Sequence, residues 1–83
     1  MYKIKFTSKA KFELKKISKS HQLAIGHILE DLKEDPTIGK PLTRELTGRF
    51  AYKIGVYRII YKLNKSDQVV YILTIGHRGN VYQ

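Results

Sequence analysis

The chain has no cysteine, no tryptophan, one methionine and only two prolines among its 83 residues. Without cysteine, a disulfide scaffold and a thiolate zinc site are both excluded. No apolar run approaches the roughly 20 residues that a membrane-spanning helix needs. The opening "MYKIKFTSKAKF" lacks the continuous apolar stretch of a secretory leader. A cytoplasmic address and no membrane partner are therefore expected. Negative charge is also scarce, with 7 Asp+Glu against 16 Lys+Arg and a net charge of +9. So basic a small domain implies an anionic partner.

The acids are unevenly spread. Glu13 stands alone among Lys3, Lys5, Lys9, Lys11, Lys15, Lys16 and Lys19. Four more cluster as Glu30, Asp31, Glu34 and Asp35. From Pro36 onward only Glu45 and Asp67 remain, against eight Lys/Arg. Acids in adjacent helical pairs do not converge on a metal ion without help from elsewhere. His21 and His27 lack the i, i+4 spacing of a helical zinc pair. No metal site and no cofactor are expected.

The apolar pattern gives an α+β domain spanning 1–83. Tyr2, Ile4 and Phe6 alternate with Lys3, Lys5 and Thr7, which is a half-buried strand. Ser8 is a candidate N-cap for a short helix with Ala10, Leu14 and Ile17 on its buried stripe. Ser20 is a candidate cap for a second helix, whose apolar face is Ile25, Ile28, Leu29 and Leu32. Asp35-Pro36 ends that helix, because a residue before proline is pushed out of the α region. The two helices form an αα-hairpin. Both prolines fall in the crossover segment 36–49, with a helical turn expected at 43–46. Strands follow at about 50–54, 57–63 and 68–76 by the same alternation. The expected order is β-α-α-β-β-β, an antiparallel sheet with the helices on one face and an open basic face on the other.

That basic face follows from "YKIGVYRIIY", residues 52–61. A two-residue turn with Gly55 first sets Ile54 opposite Tyr57, Lys53 opposite Arg58 and Tyr52 opposite Ile59. Phe50, Tyr52, Ile54, Tyr57, Ile59 and Tyr61 then face the helices. Arg49, Ala51, Lys53, Arg58, Ile60 and Lys62 share the other side. Like charges directly opposite are destabilising, and no acid lies between them. A face of paired cations interleaved with small and apolar residues suits an extended polyanion. Arg49 and Lys62 are candidate RNA contacts. His77, a polar residue at the end of the last strand, is a further one.

"LTGRFAYKIGVYRIIYKL" followed by "ILTIGHRGNVY" resembles the RelE/ParE toxin superfamily, and its RelE-like branch in particular. The resemblance spans essentially the whole chain. It implies a type II toxin that enters the ribosomal A site and cuts mRNA, together with a cognate antitoxin. It implies that Lys53 is the general base, that Arg58 holds the scissile phosphate and that Arg78 stabilises the transition state or protonates the leaving group. Tyr82 matches the terminal tyrosine that orients a base. Gly55 occupies the place where many mRNA-cleaving members carry a second lysine.

The residue inventory suits that chemistry. RNA brings its own 2′-OH nucleophile, so cleavage needs a proton acceptor, cations for the phosphate and a proton donor. A two-metal nuclease needs converging carboxylates instead. Two other readings remain open on sequence. One is a ParE-like toxin that inhibits DNA gyrase by binding. The other is a non-catalytic basic module for nucleic acid or a partner. The antitoxin is expected to be acidic and partly disordered when free.

Overall fold

The computed structural model describes residues 1–77; Arg78, Tyr82 and their neighbours lie outside the described residues. Strand β1 (Lys3–Phe6) leads into helix α1 (Ser8–Lys16) and helix α2 (Lys19–Glu34). Strands β2 (Lys40–Pro41), β3 (Arg49–Ile54), β4 (Tyr57–Asn64) and β5 (Val69–His77) follow, with one 3-10 turn at Arg44–Leu46 before β3. The sheet order is β1-β5-β4-β3-β2. Both helices lie on one face, as expected. The sheet is mixed, because β1 runs parallel to β5 while the other pairs are antiparallel. Strand β2 escaped the sequence reading, since two residues are too few for alternation to show.

The helix caps differ by one or two residues from the sequence expectation. Thr7, not Ser8, caps α1: its Oγ1 accepts from the Ala10 N–H at 3.1 Å and donates to the Leu73 carbonyl at 2.9 Å. One side chain thus satisfies a helix terminus and ties it to the sheet. Helix α2 starts after Ser18, whose Oγ lies 2.7 Å from His21 Nδ1. Gln22 Nε2 donates to the Leu14 carbonyl at 2.8 Å and closes the αα-hairpin.

The core is the layer between helices and sheet. Ala10, Ile17, Ile25 and Leu32 meet Ile59, Tyr61, Val70, Ile72 and Ile75, all buried. Burying one such aliphatic side chain contributes about 1.5–3 kcal/mol. Ile72 and Ile75 share this side although they are three apart. A bulge on β5 explains it: Ile60 pairs with Thr74 and Tyr61 with Ile72, leaving Leu73 extra. An extra residue reverses the inward-outward phase of everything beyond it.

Beyond Phe6, β1 no longer covers β5, and Glu13 of α1 takes over. Its Oε1 accepts from Thr74 Oγ1 at 2.6 Å and from the Ile75 N–H at 3.1 Å. The lone acid of the basic N-terminal stretch therefore satisfies an exposed strand edge. At the far side, the buried Tyr61 hydroxyl donates to the Pro36 carbonyl at 2.7 Å and accepts from the Gly39 N–H at 3.0 Å. A Cβ at Gly39 would collide with that hydroxyl, so glycine is required there. Phe50 stacks on Tyr61 from the neighbouring strand, ring centres 5.3 Å apart. These contacts hold the crossover segment against the sheet.

Tyr61→Phe strands two buried backbone groups, an expected loss of about 1–3 kcal/mol in urea denaturation. Burial raises the Tyr61 phenol above its ordinary value, partly opposed by the Gly39 hydrogen bond. A raised acid contributes stability that is complete below its unfolded pKa and lost as pH rises through the folded one. Wild-type stability is therefore expected to fall more steeply than that of Tyr61→Phe above about pH 10.

Candidate nucleic-acid interface

The β3–β4 turn sets the site. Gly55 has φ +57°, the left-handed region that a type II′ hairpin needs at its first central position. The observed register is the expected one: Ile54 with Tyr57, Lys53 with Arg58, Tyr52 with Ile59, Ala51 with Ile60, Phe50 with Tyr61 and Arg49 with Lys62. Cross-strand partners lie on one side of a sheet, so the face away from the helices carries transverse rows. The first is Lys53–Arg58–Gly76. The second is Lys40–Ala51–Ile60–Thr74. The third is Arg49–Lys62–Tyr71–Lys5.

The first row brings Lys53 and Arg58 together as the register requires. Lys53 is exposed and Arg58 half-buried, with its Nε atom enclosed. Opposite Arg58 on β5 stands Gly76, which adds no side chain. Ala51 and Ile60 in the second row are buried, which makes the floor between the cations flat and apolar. A groove of about 530 Å³ lies here, lined by Ile38, Lys40, Leu42, Ala51, Lys53 and Arg58. Its outer wall is the crossover segment that Tyr61 holds. Lys40 is a cation that the sequence reading missed; only the pairing of the two-residue β2 with Ala51 reveals it.

Several acids have partners of their own. Glu30 pairs with Lys33 at 2.6 Å. Asp35 accepts from the Thr37 hydroxyl and N–H, which lowers its pKa. Asp67 bonds to Asn64, and Glu13 serves the β5 edge. Among the described residues no group of three or more Asp, Glu or His is placed to hold a metal ion. No described helix is long and apolar enough to cross a membrane.

His77 does not join the cation rows. It pairs with Tyr57 on the helix side of the sheet, where the Tyr57 ring lies 6.3 Å from His77 and 5.1 Å from His21. Alternation explains the placement: with Gly76 beside Arg58, the next residue must point the other way. Arg78 and Tyr82 fall outside the described residues.

A small mixed sheet with an αα-hairpin on one face is the fold of a compact class of bacterial and archaeal toxins. The family model for the ParE toxin of type II toxin-antitoxin systems matches residues 4–82. Toxin RelG of Mycobacterium tuberculosis is 34% identical over 99% of this chain and 97% of its own length. The RelBE2 toxin-antitoxin complex of Mycobacterium tuberculosis superposes with TM-score 0.85 at 35% identity, covering 93% of this chain and 98% of the matched one. The isolated Escherichia coli RelE toxin shares the fold, with TM-score 0.82 at 23% identity over 99% of this chain and 92% of its own. The chain belongs to the RelE/ParE family and is a toxin of a type II toxin-antitoxin system.

Valine at position 55 must adopt a left-handed backbone closed to β-branched residues. Gly55→Val is expected to lower stability by about 1–3 kcal/mol, read as a lower denaturation midpoint.

Proposed function

We propose that this toxin is a ribosome-dependent endoribonuclease that cleaves mRNA in the A site. The observation that carries the reading is Lys53 directly opposite Arg58 on an acid-poor face beside a groove. Two cations held against their own repulsion are prearranged for a phosphate, whose charge grows as it becomes pentacovalent. The 2′-oxygen attacks phosphorus and its proton passes to Lys53, which acts at this step as the neutral amine. The bond to the 5′-oxygen breaks, and that oxygen is protonated by Arg78 or by water while Arg78 stabilises its charge. The products are a 2′,3′-cyclic phosphate and a 5′-hydroxyl. Arg58 holds the non-bridging oxygens, and Tyr82 orients a base. The reaction needs no metal ion, because the nucleophile, the proton acceptor and the cations are all supplied by RNA and protein. Acting on translating ribosomes places the toxin in the cytoplasm.

The solved relatives include toxins in complex with RelB antitoxins. By analogy, a cognate antitoxin neutralises this chain. The excess of cations here favours an acidic antitoxin segment, ordered on binding.

A second reading has one finding behind it, the match to a family model named for ParE. Under it the toxin binds DNA gyrase without cleaving RNA. Inducing the chain and mapping mRNA ends by primer extension separates the two. Cuts in codon register within translated regions are expected, and intact mRNA with broken DNA would favour the second reading. Arg58→Ala and Lys53→Ala are each expected to lower cleavage by about a hundredfold or more, the scale of losing one charge-stabilising or proton-transfer group. Both should relieve growth arrest while the far-UV circular dichroism stays that of the wild type.

A further inference from the structure

The third transverse row has no part in the chemistry proposed above. Arg49 of β3, Lys62 of β4, Tyr71 of β5 and Lys5 of β1 follow one another across four strands. The Lys62 ammonium lies 5.7 Å from the centre of the Tyr71 ring, within cation–π range. Arg49, Lys62 and Lys5 are exposed and Tyr71 is half-buried, so one side of its ring is anchored and the rest is accessible. Beside it runs a groove of about 560 Å³, whose lining includes Thr7, Lys62, Asn64, Lys65, Tyr71 and Leu73.

Tyr71 reaches this face only because of the bulge at Leu73. In an unbroken antiparallel register Tyr61 would pair with Leu73, Lys62 with Ile72 and Leu63 with Tyr71. Tyr71 would then face the helices. The bulge instead sets Tyr71 against Lys62 and sends Ile72 into the core. Bulges commonly re-aim a side chain beside a functional site.

The row sits four residues along β4 from Arg58, about 13 Å at the usual strand rise. Between the two cationic rows lies the flat floor of Ala51 and Ile60. Cations at both ends, an aromatic platform at one and a single acid, Glu13, held at the β5 edge by Thr74 and Ile75, match an extended single strand of RNA. We propose that Tyr71, flanked by Lys62 and Lys5, is a second nucleobase subsite, which stacks a base of the same RNA strand whose phosphate lies at Lys53 and Arg58. The subsite rests on the nuclease reading for the identity of that strand and positions it for the cut; it takes no part in the reaction itself.

The test is anisotropy of a labelled, fully 2′-O-methylated decanucleotide with the intact chain, which removes cleavage from the readout. One strand per chain is expected. Tyr71→Ala should weaken binding about tenfold, the scale of one base–aromatic stack, while Tyr71→Phe binds as the wild type. An abasic strand of equal length should bind Tyr71→Ala and wild type alike. Lys5→Ala and Lys62→Ala should each reduce the salt slope by about 0.7, and being exposed positions they test the row even where Tyr71→Ala fails to fold. Unchanged RNA affinity in Tyr71→Ala, equal loss on the abasic strand, two strands per chain or no RNA binding by the wild type would overturn the subsite. So would an acidic peptide of equal charge bound with the same dependence on Tyr71. Intact mRNA after induction would sink the nuclease reading alone, since the binding assay contains no cleavage.

Discussion

The cation pair at the centre of this face depends on the two-residue turn at Gly55-Val56. A positive φ at Gly55 closes the hairpin with the twist its strands prefer. That closure sets six cross-strand pairs at once, Lys53 with Arg58 among them. A slip of one residue would turn one strand over, sending Lys53 or Arg58 toward the helices and exposing Tyr52 or Ile59 in its place. Burial of Ile59 and Tyr61 penalises that slip heavily, so the core enforces a pairing that electrostatics alone would avoid. The repulsion between the cations is thus sustained by apolar burial on the opposite face.

Two further contacts shape the surface around that pair. The Tyr61 hydroxyl, inside the core, fixes the Pro36–Gly39 segment and so raises one wall of the groove beside Lys53 and Arg58. Glu13 closes the β5 edge where β1 stops, next to the bulge. An acid in so basic a chain would ordinarily neutralise a neighbouring cation. Here its oxygen is taken by Thr74 and Ile75, which stabilises the irregular strand and keeps the charge at the sheet edge.

The hairpin register, the two helices and the division of β3 and β4 into two faces were legible in the sequence, because each follows from local spacing. Gly55 gives the turn, Asp35-Pro36 ends α2, and strict alternation sorts Lys53 and Arg58 from Tyr52 and Ile59. The helix caps were harder. Ser8 and Thr7 are equally able to cap, and Thr7 wins because its hydroxyl also reaches Leu73. His77, a candidate RNA contact by sequence, lies on the helix side with its ring edge-on to Tyr57, since Gly76 takes the position opposite Arg58. Lys40 was invisible as a site residue, because only pairing between distant segments brings it to the groove.

By itself the amino-acid order determined the acid-poor character of the face, the turn and the partners across it, all set by contacts between near neighbours in the chain. Tertiary structure decided the rest. "VVYILTI" is apolar whichever way it points, so no pattern within it could place the bulge at Leu73. Packing of Ile72 and Ile75 into one core, with Thr74 held by Glu13 from a helix 61 residues away, selects the bulged register. That selection alone turns Tyr71 onto the side of the sheet where the cations are.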